Sequence, residues 1–586
     1  GLPMPGATII IRGTTRGTAA DENGEFQLSD VKEGDILVIS MIGFRTREIE
    51  ITDPDQAFTI ELEEAISDLE GVTVSTGYET MPIERATGSF AHVDNNLYNR
   101  QVSTDVISRL KAIAPSVQFD ERSGEMKLTI RGRSTIFAND QPLIILDNFP
   151  FEGDLNAINP NDIEDISILR DAAAASIWGV RAGNGVIVIT TKSGSRDKEP
   201  TITFNSNFTV GEKPDLFYQP KMSSSDFIEA EKYLFNQGYY DSDLNNTQTY
   251  PYVSPVVDIL AMQRNGELSA EQANAQINGY RNQDIRGDFM DHFYRKSTRQ
   301  QYAVNLHGGN KVHQYYFSAG FDNNKANLVT DSYERYTLKT DQTFIPLKGL
   351  EVKAGIQYSQ SQQKSDNFLP QVIENIDYPY ARLQDENGEP AIVNRDYRRS
   401  FVDQAGSQGL LDWYYRPVNE PGLNLSSSVL RNLRANVAIS YDLSQHLKVS
   451  AQYQNQQQTT NSETLRDQSS YYMRNLINEF SEVSEDGVDR IIPLGDLVHL
   501  NTSELRSNNG RIQLNYNWFS ENHYVTALAG FEARQTNTNG FGNNLYGYDP
   551  NLGTSINVDF SSSYRRYPTG YFASIPSNNS VGGTTD

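Results

Sequence analysis

Apolar and polar residues alternate along several segments in the second half of the chain, and these segments come in pairs. Short turns separate the two partners of a pair, whereas long polar stretches such as 360–430 and 459–508 separate one pair from the next. A period of two predicts strands, and a short connection predicts an antiparallel hairpin. The predicted strands are Thr201–Val210, Gln301–Leu306, Tyr315–Phe321, Arg335–Phe344, Leu350–Tyr358, Asn432–Leu443, Leu447–Tyr453, Arg511–Phe519 and Tyr524–Glu532.

The unequal length of the connections changes what these hairpins predict. Short turns at one end and long loops at the other are typical of bacterial outer-membrane barrels, whose strands are about ten residues long. A soluble sandwich predicts no such asymmetry. We therefore interpret residues 197–586 as part of a transmembrane β-barrel, with helical stretches at Ser225–Phe235 and Ser269–Tyr280 in its first long loop.

Composition excludes several other classes of protein. The 586 residues include 50 Lys+Arg and 75 Asp+Glu, a net charge of −25, which repels nucleic acid. Cysteine is absent, so disulfides, thiolate catalysis and cysteine zinc sites are excluded. No apolar run approaches the roughly 18 residues of a membrane helix. The 32 Tyr and 26 Phe suit the aromatic girdles of a barrel.

Residues 1–63 predict a small β-sandwich. Short β-rich runs recur about every ten residues, with a turn at Asp21–Gly24. The stretch holds no histidine and no nucleophile–base pair, which argues against a catalytic domain. The predicted strands are Ala7–Ile11, Glu25–Leu28, Asp35–Ser40, Thr46–Ile51 and Ala57–Leu62.

Residues 64–82 predict a linker, and residues 83–196 predict a mixed α/β domain. A short alternating strand within Leu69–Tyr78, flanked by glycines, lies in the linker, where it could pair with the sheet edge of another protein or serve only as a tether. The α/β domain begins with a helix at Ser103–Ala114, with Ser103 or Thr104 as its N-cap. Its other predicted elements are strands at Lys127–Arg133, Pro142–Asp147 and Val186–Thr191 and a helix at Asp171–Trp178.

Three motifs of the α/β domain carry a family resemblance. The stretches Asn159–Ile166, Leu169–Gly179 and Arg181–Gly194 closely resemble the plug signature of SusC-like TonB-dependent outer-membrane transporters. Arg170 stands where lysine is usual and Trp178 where tyrosine is usual, and both keep the charge or aromatic character. Residues 1–63 resemble the carboxypeptidase-regulatory-like domain often found ahead of such plugs, with its usual first strand expected before Gly1.

The resemblance implies a mainly β protein with a small β-sandwich, an α/β plug domain and an antiparallel transmembrane β-barrel. Plugged barrels have about 22 strands, so the barrel is expected to be incomplete here, with further strands after Asp586. The resemblance also implies a bacterial outer-membrane location, with the amino-terminal domain in the periplasm. The strand in the linker then matches a TonB box, which predicts that the TonB carboxyl-terminal domain binds Val72, Thr73, Val74, Ser75, Thr76, Gly77 and Tyr78.

The function that the resemblance implies is TonB-dependent import of an oligosaccharide or peptide under a SusD-like lipoprotein lid. The expected partners are TonB, that lipoprotein, outer-membrane lipid and the substrate, and dimers of transporter–lipoprotein pairs are possible. A siderophore or cobalamin receptor is one alternative, and a non-transporting surface or assembly barrel is another. Replacing Val72 or Val74 by proline is expected to abolish uptake without loss of binding, because proline removes a ladder donor.

Candidate chemistry outside the plug is sparse. The loop cluster of Asp412, Trp413, Tyr414, Tyr415 and Arg416 could contact substrate, form a small core of its own or meet a partner. No nucleophile, base and orienting group can be assembled, so no enzyme is expected, and helix capping explains the plug acids Asp162, Glu164 and Asp165 better than glycoside hydrolysis. No cofactor is expected. Calcium has only weak support, from Asp21–Gly24 and Asp385–Gly388, and the histidines lack metal-ligand spacing: His92, His292, His307, His313, His446, His499 and His523.

Overall fold

The computed structural model describes most of the chain. The described residues are 3–12, 14, 16–41, 44, 46–53, 59–62, 73–83, 88–111, 113–114, 117–120, 127–130, 132, 140–366, 376–520 and 523–585.

The amino-terminal unit is a single four-stranded antiparallel sheet among the described residues. Its strands are β1 (Thr8–Ile11), β2 (Gly17–Ala19), β3 (Ile36–Ser40) and β4 (Arg47–Glu50), in the order β2-β1-β3-β4. The predicted strand at Glu25–Leu28 does not form, although Phe26 and Leu28 pack against the core of Ile9, Ile11, Leu37, Ile39 and Ile51. The predicted strand at Ala57–Leu62 lies partly outside the described residues, and 59–62 form no strand.

The central α/β unit contains the predicted plug, residues 83–196, together with a hairpin at residues 73–82 that was predicted to be part of the linker. Its main sheet has the order β11-β10-β13-β12-β7, in which β10 and β13 are parallel and the other pairs antiparallel. Both faces of this sheet are apolar, and both are buried against helices and loops of the plug. The elements are β5 (Thr73–Ser75), β6 (Thr80–Pro82), β7 (Phe90–Asp94), α1 (Asn95–Tyr98), α2 (Val106–Leu110), β8 (Val117–Asp120), β9 (Lys127–Ile130), β10 (Leu143–Leu146), β11 (Phe149–Pro150), β12 (Ile163–Leu169), α3 (Ala172–Ala175) and β13 (Val186–Thr191).

The caps of the plug helices correct one prediction and explain another. The N-cap of α2 is Asp105, and not Ser103 or Thr104. The Asp105 carboxylate accepts hydrogen bonds from the Ser108 N–H and from the Ser103 hydroxyl. Asp171 caps α3 in the same way. Gly179 then has a φ of 61°, a left-handed conformation that glycine adopts without strain, so the chain turns sharply before β13.

The remaining chain forms one large antiparallel sheet, which we call the wall, with helices in its long connections. Eleven strands join in the order β14-β15-β16-β17-β18-β19-β20-β23-β24-β25, with β28 also on β24. The elements are β14 (Lys198–Gly211), α4 (Ser224–Asn236), α5 (Asp241–Asn245), α6 (Pro255–Arg264), α7 (Ala270–Tyr280), α8 (Ile285–His292), β15 (Ser297–Gly309), β16 (His313–Lys325), β17 (Ser332–Leu347), β18 (Leu350–Asp366), α9 (Arg399–Val402), β19 (Leu425–Asp442), β20 (Leu447–Arg466), α10 (Tyr471–Glu479), β21 (Ser481–Ser484), β22 (Gly487–Arg490), β23 (Asp496–Ser520), β24 (His523–Asp549), β25 (Thr554–Ile556), β26 (Ser563–Arg565), β27 (Phe572–Ser574) and β28 (Ser580–Thr585).

The two faces of the wall have opposite character. The outward face exposes large apolar residues, and the segment from Tyr336 to Phe344 on β17 covers about 26 Å of strand at about 3.3 Å per residue. Because barrel strands are tilted by about 40°, this length corresponds to about 20 Å of membrane height, close to the roughly 25 Å apolar band of an outer-membrane barrel. The inward face is polar and buried against the plug, with Gln301, Asn305, Arg335, Lys339, Gln357, Arg434, Gln456, Asn509, Arg511 and Gln513.

The long connections form a layer of their own at one end of the wall. The helices α4, α6, α7 and α8 share one apolar core with the loops on either side of α9. Short turns join the strands at the other end, for example between β17 and β18. Among the described residues, no helix combines the length and apolarity that a membrane crossing requires.

Candidate functional site: the contact between plug and wall

An inward-facing arginine on β17 holds the backbone of the plug. The guanidinium of Arg335 is fully buried and pairs with Asp322 on β16 at 2.6 Å. It also donates to the carbonyl oxygens of Thr104 at 2.6 Å, Asn156 at 2.8 Å and Ile158 at 3.1 Å. Because the wall aspartate neutralises the charge, the remaining N–H groups are free to bind uncharged plug carbonyls.

A second contact joins the wall to the turn that follows β10. Asp147 accepts from Arg434 of β19 at 2.7 Å and from both the N–H and the hydroxyl of Thr191. Lys339 of β17 donates to the Thr191 hydroxyl at 2.7 Å and to the carbonyl of Lys192 at 2.5 Å. The plug turn and the end of β13 are thus fixed to two separate strands of the wall.

A third contact centres on Tyr78, at the turn of the β5–β6 hairpin. The Arg511 guanidinium lies 3.7 Å from the centre of the Tyr78 ring, and the Trp178 ring centre lies 4.5 Å away. The Tyr78 hydroxyl donates to Glu532 of β24, and the Tyr78 carbonyl accepts from Gln513 of β23. Burial raises the pKa of Tyr78 from 10 to about 12, so the hydroxyl stays protonated well into the alkaline range.

The structure places most of the predicted TonB-box residues in this hairpin, while Val72 lies outside the described residues. Thr73, Val74 and Ser75 form β5, which pairs with β6, and the Val74 side chain is fully buried. The Ser75 N–H donates to the Ser167 hydroxyl, and the Thr76 carbonyl accepts from the Trp178 indole. Residues 73–78 are therefore held between plug and wall in this structure, and another protein could pair with them only after they leave it.

The predicted loop cluster divides into buried and surface residues. Trp413 and Tyr415 are each 2% exposed and belong to the core of the loop layer, where the Trp413 indole donates to Asn475. Tyr414 and Arg416 are half-buried and Asp412 is exposed. Asp412 pairs with Arg416 at 2.7 Å, which closes the turn that presents Tyr414.

A cavity in the loop layer was not evident from the sequence. It has a volume of about 550 Å³, and residues of three separate stretches line it, including Leu216, Phe227, Phe289 and the acidic Asp215 and Asp377. These residues are far apart along the chain, and the shared apolar core of the loop layer brings them together. No sequence motif marks such a site.

Comparisons with known proteins agree with this architecture. The model of the CarboxypepD_reg-like domain matches residues 1–74, and that of the TonB-dependent Receptor Plug Domain matches residues 82–186. The TonB-dependent receptor SusC of Bacteroides thetaiotaomicron is 26% identical over 351 residues, which cover 58% of this chain and 30% of SusC. The chain thus contains both domains and is a homologue of the SusC-like TonB-dependent receptors.

Further relatives support the same family and fold. The TonB-dependent receptor P26 of Formosa agariphila is 31% identical over 233 residues, which cover 38% of this chain and 23% of P26. The RagAB peptide importer in its open-open state superposes with a TM-score of 0.64 at 18% identity, over 88% of this chain and 53% of that one. The chain spans between 23% and 35% of the length of the curated relatives it matches.

The family fixes the location and orientation of this receptor. SusC-like TonB-dependent receptors are outer-membrane proteins with the plug and amino terminus on the periplasmic side. The predictions of family, fold class and location are thereby confirmed. The β5–β6 hairpin lies beside Lys448, Asn517 and Thr526, near the short-turn ends of their strands, which is the periplasmic end.

The two acidic turns of this receptor have a local explanation. The carboxylate of Asp21 accepts from the backbone N–H groups of Asn23 and Glu25. The carboxylate of Asp385 accepts from those of Asn387 and Glu389. Both are Asx turns, in which the aspartate side chain stabilises the turn itself. Within the described part of the chain, no group of three or more histidine and acidic side chains has the arrangement of a metal site.

Proposed function

We propose that this receptor imports a polar nutrient, an oligosaccharide or a peptide, across the outer membrane under the control of TonB. The observation that carries the proposal is the polar inner face of the wall, which the plug fills through hydrogen bonds and ion pairs. A barrel that served only as a membrane anchor would not need a separate plug domain held inside it by polar contacts. Water and polar solute can replace these contacts when the plug moves.

The contacts of the hairpin support the dependence on TonB. The outer membrane holds no ATP, so energy must arrive as a pull on a periplasmic segment. The chain upstream of Thr73 leads directly into β5, and the hairpin contacts both plug and wall. A strand added by TonB to this region, as the sequence predicts for 72–78, would transmit the pull to these contacts.

We assign a SusD-like surface lipoprotein as the partner that delivers the substrate. The support is the relationship to SusC together with the fold shared with the RagAB peptide importer. The loop layer offers a surface for such a partner, and its cavity of about 550 Å³ is a candidate contact for the substrate. Neither relative decides between a glycan and a peptide for this receptor.

The first experiment is mild-detergent co-purification of the full-length receptor from native outer membranes, with mass spectrometry of the proteins that accompany it. A stoichiometric SusD-like lipoprotein is expected, and an unrelated envelope assembly in its place would contradict the proposal. The second experiment is the Val72→Pro substitution, which should abolish uptake while substrate binding persists. Val74→Pro is the less informative variant, because Val74 is buried within the plug and its loss would also disturb the hairpin.

A further inference from the structure

The outward face of the wall contains a recess among its exposed apolar residues. The recess has a volume of about 510 Å³ and extends over four neighbouring strands, β15 to β18. Ala319 and Thr340 form its floor, since each is small and is paired with a large exposed neighbour, Leu338 and Phe317 respectively. The other outward side chains that line it are also uncharged: Val304, Leu306, Ile356 and Tyr358.

The register of the wall gives the tilt of its strands in the membrane. Val304 on β15 and Asn537 on β24 belong to one continuous row of paired residues. Val304 lies five residues from the end of β15 at Gly309, whereas Asn537 lies fourteen residues from the start of β24 at His523. The row is therefore displaced by nine residues, about 30 Å, over seven strand spacings of about 4.8 Å each. Because the short turns of a barrel lie at one membrane surface, the strands tilt by about 40°.

This tilt places Arg431 of β19 directly above the recess. Each row rises away from the short turns towards β24, so the membrane normal that starts at Thr340 leads to β18 and then β19. Arg431 pairs with Gln360, which pairs with Tyr336, so Arg431 is two strands away from Thr340 and four residues nearer the long loops. These steps are about 10 Å across the strands and about 13 Å along them, a diagonal of about 16 Å that is nearly parallel to the normal.

The height of Arg431 above the recess equals the depth of one leaflet. The hydrocarbon core of both leaflets together is about 30 Å thick, so the acyl chains of one leaflet span about 15 Å. The recess therefore lies near the middle of the bilayer. Arg431 lies at the extracellular surface of the hydrocarbon core, at the level of the lipid headgroups.

Hydrogen-bonded side chains connect Arg431 with the recess. The Arg431 Nε donates to the Gln360 Oε1 at 3.3 Å, and the Tyr358 hydroxyl donates to the same oxygen at 3.0 Å. Tyr358 itself lines the recess. Arg431 is exposed, and within the described part of the chain its two terminal nitrogens form no hydrogen bond or ion pair. Its remaining N–H groups are thus available to a headgroup.

We propose that the recess and Arg431 form a binding site for one phosphorylated lipid of the outer leaflet. An acyl chain of this lipid lies along Tyr358 and ends in the recess over Ala319 and Thr340. Arg431 binds a phosphate group through its terminal N–H groups, while Gln360 holds the guanidinium in place. Arginine suits this role because its planar guanidinium binds two phosphate oxygens at once. The site lies on the membrane side of the wall, so it does not depend on the proposed import function.

The position of Arg431 decides which leaflet supplies the lipid. A lipid of the periplasmic leaflet has its phosphate near the short turns, about 30 Å from Arg431. An outer-leaflet lipid has its phosphate at Arg431 and the ends of its chains at the middle of the bilayer. A second exposed cation, Lys364, follows Gln360 by four residues on the same face of β18, so a lipid with two phosphates would contact both cations.

The test is native mass spectrometry of the full-length receptor, delipidated in detergent and titrated with bisphosphorylated lipid A. Dephosphorylated lipid A and phosphatidylethanolamine are titrated in parallel, and we expect both to bind more weakly. Arg431→Gln should raise the dissociation constant of lipid A about tenfold, because a charge-assisted hydrogen bond is lost. Arg431→Lys, which keeps the charge, should have a smaller effect. Arg506→Gln is the matched control, because Arg506 is an exposed arginine of β23 that pairs with Glu504.

A second set of variants fills the recess and leaves Arg431 unchanged. Ala319→Phe places a ring on the floor of the recess, so we expect lipid A binding to weaken about tenfold as apolar contact with the acyl chain is lost. Ala319→Leu is the smaller substitution, which serves if Ala319→Phe does not fold. Ala451→Phe is the matched control, because Ala451 is an exposed position on β20 outside the recess. Migration on unheated gels shows which variants form a folded barrel.

Three results would overturn the proposal. Equal affinity for lipid A, its dephosphorylated form and phosphatidylethanolamine would exclude a site for an outer-leaflet phosphate. Equal losses with Arg431→Gln and Arg506→Gln would mean that only the general surface charge matters. If Ala319→Phe dissociated receptor dimers and left lipid A binding unchanged, the recess would be a contact between two copies of the receptor.

Discussion

The guanidinium of Arg434, on the inner face of the wall, lies 2.7 Å from the carboxylate of Asp147 in the plug. The Arg434 side chain is 5% exposed and that of Asp147 is 21% exposed. Asp147 has a φ of 48°, an uncommon conformation for a residue other than glycine. The contact from Arg434 and the two hydrogen bonds from Thr191 hold it there.

Arg434→Gln should loosen the plug. Removal of one partner of a fully buried pair costs about 3–5 kcal/mol, and the Thr191 hydrogen bonds and the partial exposure of Asp147 lower this figure here. We expect faster proteolysis of the plug and a measurable leak of ions through the receptor in planar bilayers. Arg506→Gln is the matched control, because Arg506 is 67% exposed and its ion pair with Glu504 is also exposed. Equal leakage from both variants would refute a specific role for Arg434.

Leu338→Arg should destabilise the receptor in lipid. Leu338 is an outward residue in the apolar part of β17, where a charge near the bilayer midplane costs about 2–4 kcal/mol. Leu347→Arg, on the same strand next to the short turn, should cost about 1 kcal/mol or less. The measurement is the denaturant midpoint of the receptor refolded in vesicles. If Leu347→Arg lowered the denaturant midpoint more than Leu338→Arg, the inferred position of the wall in the membrane would be wrong.

Trp413→Ala should destabilise the loop layer by about 3–5 kcal/mol, because it leaves a large cavity among Tyr397, Phe401 and Tyr567. Hydrogen exchange in α10 is the measurement, since Asn475 on α10 accepts from the Trp413 indole. Tyr414→Ala should cost less than about 1 kcal/mol, because this side chain is only half-buried. A loss of substrate affinity with Tyr414→Ala and no change in exchange would support the predicted substrate contact at this position.

The contribution of Asp258 to the stability of the loop layer should be larger at pH 4.5 than at pH 7.5. Burial raises the pKa of Asp258 on α6 from 3.8 to about 6. The protonated form is therefore favoured in the folded state, and its contribution is complete below pH 4 and is lost as the pH rises through 6. The difference is at most about 3 kcal/mol. Asp258→Asn should flatten the pH dependence of hydrogen exchange in α6, whereas an unchanged profile would exclude Asp258 as its source.

Periodicity predicted the hairpins of the wall correctly but not the length of their strands. The pair Leu350–Tyr358 and Arg335–Phe344 forms as predicted, yet β18 continues to Asp366 through a stretch rich in Gln and Ser. Beyond the apolar band both faces of a strand can be polar, so the alternation disappears while the hydrogen bonds continue. The helices at Ser225–Phe235 and Ser269–Tyr280 are also confirmed, with Ser269 as the N-cap of α7.

The site was only partly predictable from sequence. The motif residues Asp171 and Gly179 showed where the plug lies, because caps and left-handed turns depend on local sequence. The contact between Tyr78 and Arg511 joins residues more than 400 positions apart, and the burial of Val74 also depends on tertiary packing, so no local pattern reports either. The cluster at Trp413 shows the same limit, since an aromatic run looks alike whether it forms a core or a binding surface.

The polar contact between plug and wall affects how the plug can move. Its hydrogen bonds each contribute only about 0.5–1.5 kcal/mol net, because water offers an alternative partner to every group. An apolar contact of equal area would expose its surface to water as the plug moved, and no hydrogen bond to water would offset that cost. The polar contacts between plug and wall can instead break one after another, because water can form a hydrogen bond with each group as its protein partner moves away. The force that moves the plug is then set by the few largest clusters, such as Arg335 with the plug carbonyls of Thr104, Asn156 and Ile158, and not by the area of the whole surface.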